Sequence, residues 1–139
     1  MVKLRLSASN SMVSRAIKLL TWSDYSHVDF VLDSGDYLGS VPGKGVIVHR
    51  QKEPLEHFYH IDASYDTITN AALNQLGKPY DYTGIVGFLF NRDWQKTDSW
   101  FCSELVAASI NKEIALFDAE SFRITPRDIS IHPLVHRIS

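Results

Sequence analysis

An α+β fold, an antiparallel sheet packed with helices in one domain over residues 1–139, is what the sequence predicts. Strand-forming runs between Ser26 and His49 are punctuated by the turn clusters Asp33-Ser34-Gly35-Asp36 and Pro42-Gly43-Lys44-Gly45, which reads as an antiparallel meander. Apolar residues recur at helical spacing in segments starting near Ser11, Thr67 and Cys102. A chain of 139 residues, 45% hydrophobic and 22% charged, can bury one core without disulfides or a structural metal.

The elements follow in order. Lys3 to Leu6 reads as a strand, and Asn10 or Ser11 then caps a helix with Val13, Ala16, Ile17 and Leu20 on one face. The meander consists of Ser26 to Leu32, Tyr37 to Val41 and Val46 to His49, with His27 opening its first strand. Phe58 to Ala63 is strand-like. A helix from about Thr67 to Leu76 follows, capped by Asp66 or Ser64 and ended by Gly77. Gly84 to Phe90 is apolar enough for a short buried helix, and Asn91 to Ser99 is a polar loop containing Trp94. The helix beginning at Cys102 runs to about Ile114. Ser121 to Ile124 reads as a returning strand, and Thr125 caps a short helix with Pro126 at its first position.

Cys102 is the only cysteine, set in Trp100-Phe101-Cys102-Ser103-Glu104-Leu105-Val106, where an apolar run becomes a helix. Unpaired N–H groups at a helix start favour thiolate and bind an oxyanion, so a nucleophile suits the position. Taken alone, a lone cysteine is more often a small buried hydrophobe. His27 by itself fits a strand-edge residue as well as a base. Between them lies Leu76-Gly77-Lys78-Pro79-Tyr80-Asp81-Tyr82; on its own, Tyr80 reads as a buried ring at a loop start.

Taken together and in this order, Ser26-His27-Val28, Gly77-Lys78-Pro79-Tyr80-Asp81-Tyr82 and Phe101-Cys102-Ser103-Glu104-Leu105-Val106 resemble the circularly permuted branch of the NlpC-like papain-fold cysteine hydrolases. The resemblance spans roughly residues 24 to 110 and points to the YiiX/YebB-like group, in which the histidine strand precedes the cysteine helix. It implies a papain-like, permuted fold with Cys102 as nucleophile, His27 as base and Tyr80 bordering the active site. A thiol activated by an adjacent imidazole, with the amide N–H of Cys102 holding the oxyanion, accords with that chemistry.

The family pattern also implies a polar third residue on the strand after the histidine, and that position falls on Gly39, which has no side chain to orient an imidazole. Ser40, a backbone carbonyl or a water is left to do so. Asp29 shares a strand face with His27. At roughly 6 to 7 Å along the strand it is expected to be too far for a sure hydrogen bond, and to serve substrate binding or local electrostatics, or to be a solvated or salt-bridged strand carboxylate.

The net charge of −2 gives no bulk attraction to nucleic acid or an anionic bilayer. His57 and His60 would face opposite sides of a strand and lack partners for a zinc set, so neither metal nor cofactor is expected. Phe88, Trp94 and Trp100 read as packing more than as substrate contacts. The N-terminus lacks a signal-peptide apolar stretch, and nothing later resembles a membrane span, so the expected location is cytoplasmic or phage-associated. The function expected is a thiol hydrolase acting on an amide in a peptide or peptidoglycan stem. A lipid or ester acyl hydrolase or acyltransferase is the alternative, and a non-catalytic binding or phage structural module with a degenerate site is the competing class. Oligomeric state and substrate identity have no signal in the sequence.

Overall fold

A computed structural model of the chain describes residues 1–82, 100–117 and 124–138. Six strands, β1 (Val2–Ala8), β2 (His27–Val31), β3 (Tyr37–Val41), β4 (Gly45–His49), β5 (Leu55–Ile61) and β6 (His136–Arg137), form one sheet in the order β4-β3-β2-β1-β5-β6. Every adjacent pair is antiparallel. The described helices are α1 (Met12–Thr21), α2 (Tyr65–Leu73), α3 (Cys102–Ile110) and α4 (Pro126–Ser130). The α+β expectation therefore holds, with an antiparallel sheet and helices packed around one core.

The strand residues sort by the two-residue period of the pleat. Leu4, Leu6, Val28, Phe30 and Leu38 join Leu105, Val106 and Ile110 of α3 in the core. α3 lies across β2 and β3, and α2 packs on α3. The alternate residues Arg5, Ser7, His27, Asp29, Tyr37 and Gly39 share the other face, where Arg5 pairs with Asp29 and Ser7 with His27 across the β1–β2 ladder. Polar side chains thus collect on one side of strands whose other side is mostly apolar, Ser40 on β3 excepted.

Caps set the helix boundaries. Ser11 accepts a hydrogen bond from the Ser14 N–H and starts α1. Ser64 rather than Asp66 caps α2, so that helix begins and ends earlier than its apolar spacing suggests. Thr125 and Asp128 close a reciprocal capping box around Pro126 at the start of α4. β5 begins at Leu55, upstream of the expected Phe58, because its register on β1 runs from Val2 opposite Ile61 to Ala8 opposite Leu55. α3 stops at Ile110, and residues 111–113 continue as turn. The helix expected over Gly84 to Phe90, the loop with Trp94, and the strand expected over Ser121 to Ile124, Ile124 excepted, lie outside the described residues; Ile124 is not in a strand. Among the described residues no helix is long and apolar enough to cross a membrane.

Candidate functional site

The segment that delivers Cys102 is built by close backbone contacts. Gly45 has φ +79°, and a Cβ there would lie 2.3 Å from the Lys78 carbonyl oxygen, so only glycine lets the chain after α2 press against β4. The Val46 N–H donates to the Lys78 carbonyl at 2.8 Å, and the Gly77 N–H donates to the Val46 carbonyl at 3.0 Å. Residues 79–81 then bond Trp100 on both sides: the Trp100 N–H donates to the Pro79 carbonyl, and the Asp81 N–H to the Trp100 carbonyl. The Trp100 indole N–H reaches Gln75 Oε1 at 3.0 Å, and its ring packs against the core. Phe101, in extended conformation, is the N-cap residue of α3 and Cys102 is its first helical residue.

Cys102 is fully buried and its Sγ lies 3.8 Å from the Ser26 carbonyl oxygen. The thiol is also close enough to His27 to act on the proton affinity of its ring. The first residue of α3 thus meets the first residue of β2. His27 Nε2 lies 2.7 Å from Asp29 Oδ1, which leaves Nδ1 as the ring nitrogen free to face the thiol. His27 and Asp29 are thus in direct contact, with Cys102 beside the ring.

This corrects the expectation that Asp29 stands too far from the ring. Side chains two apart on a strand lean along its axis, and the space between them is open because Gly39 faces it from β3. A Cβ on residue 39 would come within 2.0 Å of Asp29 Oδ1. Glycine inside a strand marks a close approach by another group, and here that group is the Asp29 carboxylate. Ser40 is not the orienting residue in this arrangement. It points to the opposite face, where its Oγ donates to the Trp100 carbonyl at 2.5 Å and ties β3 to the approach to Cys102.

Asp29 is itself held from several sides. Arg5 donates from Nε to Asp29 Oδ2 at 3.1 Å and pairs with the same oxygen through Nη2. Both side chains have 0% exposure. Arg5 Nη1 bonds the Gln51 carbonyl at 2.7 Å and Glu56 Oε1 at 3.0 Å, and the guanidinium stacks 3.8 Å from the Tyr37 ring centroid. His49 on β4 adds its Nε2 at 3.3 Å from Asp29 Oδ1. Burial acts to raise the Asp29 pKa, but the charge and hydrogen bond of His27, with His49 and Arg5, hold it far below the usual carboxylate range. Burial likewise works against a charged His27; the charge and hydrogen bond of Asp29, then Cys102, outweigh it and push its pKa up to about 10.

Tyr80 stands near the thiol with its ring buried, and its hydroxyl has no hydrogen-bond partner among the described residues. Burial first, then the nearby charges of Cys102, Tyr82, Asp81 and Glu104, raise its pKa, so it is a neutral phenol. His57 and His60 stay apart: His57 Nδ1 meets the Tyr25 hydroxyl at 2.7 Å, and His60 lies against His136.

Arg5 and His49 were not among the residues singled out from sequence. A signal for Arg5 existed, since an arginine inside an apolar strand needs a buried carboxylate, and Asp29 is the strand acid that its register places opposite. His49 carried no comparable mark. It forms with His27 and Asp29 a group whose donor atoms lie within 4.8 Å of one another. A cleft of about 350 Å³ opens beside His27 and His49, walled by β1, the start of α1 and the β3–β4 turn.

No protein-family model matches the sequence, and no curated protein does. Among solved structures, the chain is similar to the crystal structure of the metalloprotein YiiX from Escherichia coli O157:H7 (DUF1105), with a TM-score of 0.70, 19% identity, and coverage of 99% of this chain and 95% of that one. At that identity the likeness is one of fold, and the chain has a YiiX-like α+β fold.

Proposed function

We propose that this chain is a thiol hydrolase with a permuted papain-like arrangement, cleaving an amide in a peptide or a peptidoglycan stem. The observation that carries this reading is the buried His27–Asp29 contact beside Cys102, with 2.7 Å between His27 Nε2 and Asp29 Oδ1 and Cys102 among the groups that raise the proton affinity of the ring. Asp29 keeps the Nε2 proton in place, as an orienting acid does in a Cys/His site. His27 as imidazolium partners a thiolate, whose sulfur attacks the substrate carbonyl carbon while the carbonyl π electrons move to oxygen. The amide N–H of Cys102, first in α3, is positioned for that oxyanion. Collapse re-forms the carbonyl and breaks the C–N bond, and the amine leaves with the proton from His27. Water then attacks the thioester carbonyl as His27 takes its proton. The C–S bond breaks to release the acid and regenerate Cys102. Tyr80 borders this chemistry as a neutral hydroxyl.

The deciding experiment is the pH dependence of Cys102 alkylation by iodoacetamide, in wild type and His27→Ala. Reaction persisting below pH ~7 in the wild type and lost in the variant supports the reading. Equal reaction, or none, favours a non-catalytic binding module with the same fold. If the pair is reactive, liposome binding separates a lipid acyl substrate from a peptide one.

A second reading has its own observation. His27 Nε2, Asp29 Oδ1 and His49 Nε2 lie within 4.8 Å of one another, and YiiX of E. coli is a metalloprotein. Two imidazoles and a carboxylate fit a divalent ion by donor type, with Arg5 on the second Asp29 oxygen as the supporting partner. A bound ion would supply Lewis acidity. His27 Nε2 cannot donate to Asp29 and ligate a metal at once, so proton and metal compete for it. Calorimetric zinc titration tests this. Binding with proton release that is abolished by His49→Ala supports the metal reading, and binding indifferent to His49→Ala, or absent, removes it.

A further inference from the structure

The cleft beside His27 holds polar groups that no protein partner uses. Ser7, opposite His27 on the β1–β2 ladder, has 0% exposure and lines the cleft, and its Oγ has no hydrogen-bond partner among the described residues. A buried hydroxyl left unpaired is destabilising, so its retention points to an occupant. The ten-residue helix α1 begins at the same cleft, with Ser11, Val13 and Ser14 in its wall. The Ser14 N–H is taken by the Ser11 side chain and the Arg15 N–H by the Ser11 carbonyl. The amides of Met12 and Val13 are the first-turn donors that remain, at the positive end of the helix dipole.

The charges of the wall favour the same kind of ligand. Lys44, exposed on the β3–β4 turn at the cleft margin, makes no ion pair among the described residues. Arg5 and His27 at the floor are matched by the carboxylates of Asp29 and Glu56, so Lys44 is the cation of the wall left without such a partner among the described residues. Glu53 is the carboxylate of the lining, and its Oε1 accepts from Gln51 Nε2 at 2.9 Å.

We infer that this cleft binds a carboxylate carried by the substrate, between the Ser7 hydroxyl, the first turn of α1 and Lys44. The inference rests on the thiol-hydrolase reading for one point only, the place of the scissile bond. Ser26 and His27 line the cleft, and the Cys102 thiol lies 3.8 Å from the Ser26 carbonyl oxygen. The substrate class is then an acylated amino acid or peptide with a free carboxylate close to the amide that is cleaved.

The test removes the chemistry and reads binding. In the full-length Cys102→Ser protein, N-acetylglycine and N-acetylglycinamide are titrated by NMR, following the amide signals of Ser7, Val13 and Lys44. The carboxylate probe is expected to bind at least about tenfold more tightly than the neutral one, and Lys44→Gln and Ser7→Ala each to reduce that preference severalfold. Lys44 is exposed, so its variant keeps the test valid should Ser7→Ala disturb the strand. Equal affinity for the two probes, or a preference untouched by both substitutions, overturns the inference. An unreactive Cys102 beside a clear carboxylate preference would sink the hydrolase reading and leave the anion site standing; the reverse pattern would do the opposite.

Discussion

The carboxylate of Asp29 occupies the volume that a side chain on Gly39 would fill, with a Cβ at 39 falling 2.0 Å from Asp29 Oδ1. The two positions are reciprocal: one strand gives up its side chain so that the neighbouring strand can supply the acid to His27. The glycine at the expected orienting position is therefore a steric requirement of the Asp29 contact.

Gly39→Ala is expected to destabilise the protein by about 1–3 kcal/mol through overpacking against a fixed carboxylate. In an Asp29→Ala background the same change meets open space and its cost should fall toward zero. A double-mutant cycle by urea denaturation reads this coupling directly. Additive effects would mean that residue 39 and Asp29 do not compete for one volume.

Alkylation of Cys102 at pH ~6 should slow by about 10²-fold or more in His27→Ala, the scale of a lost general base. Asp29→Asn preserves shape but not charge, and should slow the reaction less while shifting its pH profile. Mass spectrometry of the alkylated protein gives both rates. An Asp29→Asn protein indistinguishable from wild type would show that the carboxylate does not govern the ring.

Stability should vary with pH in a defined sense. His27 has an ordinary pKa of 6.5, and in the folded chain burial opposes the proton while Asp29 and Cys102 hold it up to about 10. Between these values the folded state binds more protons than the unfolded state. The contribution is complete below 6.5 and is lost as pH rises toward 10. Asp29, lowered from 3.8, contributes above that value and loses its contribution as pH falls below it. Urea midpoints at pH 6 and 9.5 should separate in the wild type and converge in His27→Ala. A wild-type midpoint flat across that window would mean that His27 is not held charged.

Arg5→Met should cost about 3–5 kcal/mol, because it leaves Asp29 buried without its guanidinium. Asp29→Asn in the same protein should recover part of that loss. Thermal unfolding of the two single variants and the double variant checks it; a double variant as unstable as the sum of the singles would contradict the pairing.

Ser40→Ala should cost about 1 kcal/mol, the worth of its bond to the Trp100 carbonyl, and should leave the His27–Asp29 contact intact. An NMR titration of His27 in this variant should match wild type. A large shift in that titration would return Ser40 to the orienting role.

Much of the fold was legible because its signals are local. The turn clusters at 33–36 and 42–45 place β2, β3 and β4, Ser11 and Thr125 cap their helices, and Cys102 stands at a helix start, each within one or two residues of expectation. β6 was not legible, being a two-residue strand whose existence depends on β5. The proposed site was legible in part. Motif order singled out Cys102, His27 and Tyr80 as candidates, whereas the contact between His27 and Asp29 was not foreseen, since strand spacing alone leaves Asp29 too far away.

What the sequence by itself determined is the period and punctuation of the chain: alternating strands, capped helices and a thiol at the first position of α3. What only the tertiary structure decided is which polar groups meet. Arg5, His27, Asp29 and His49 come from three strands, and their contacts depend on register and on the volume left at Gly39. Local propensity acts over a few residues, but a buried charge is stabilised only by partners that the sheet brings to it. Those partners are fixed by strand pairing across long stretches of chain, which no local pattern encodes.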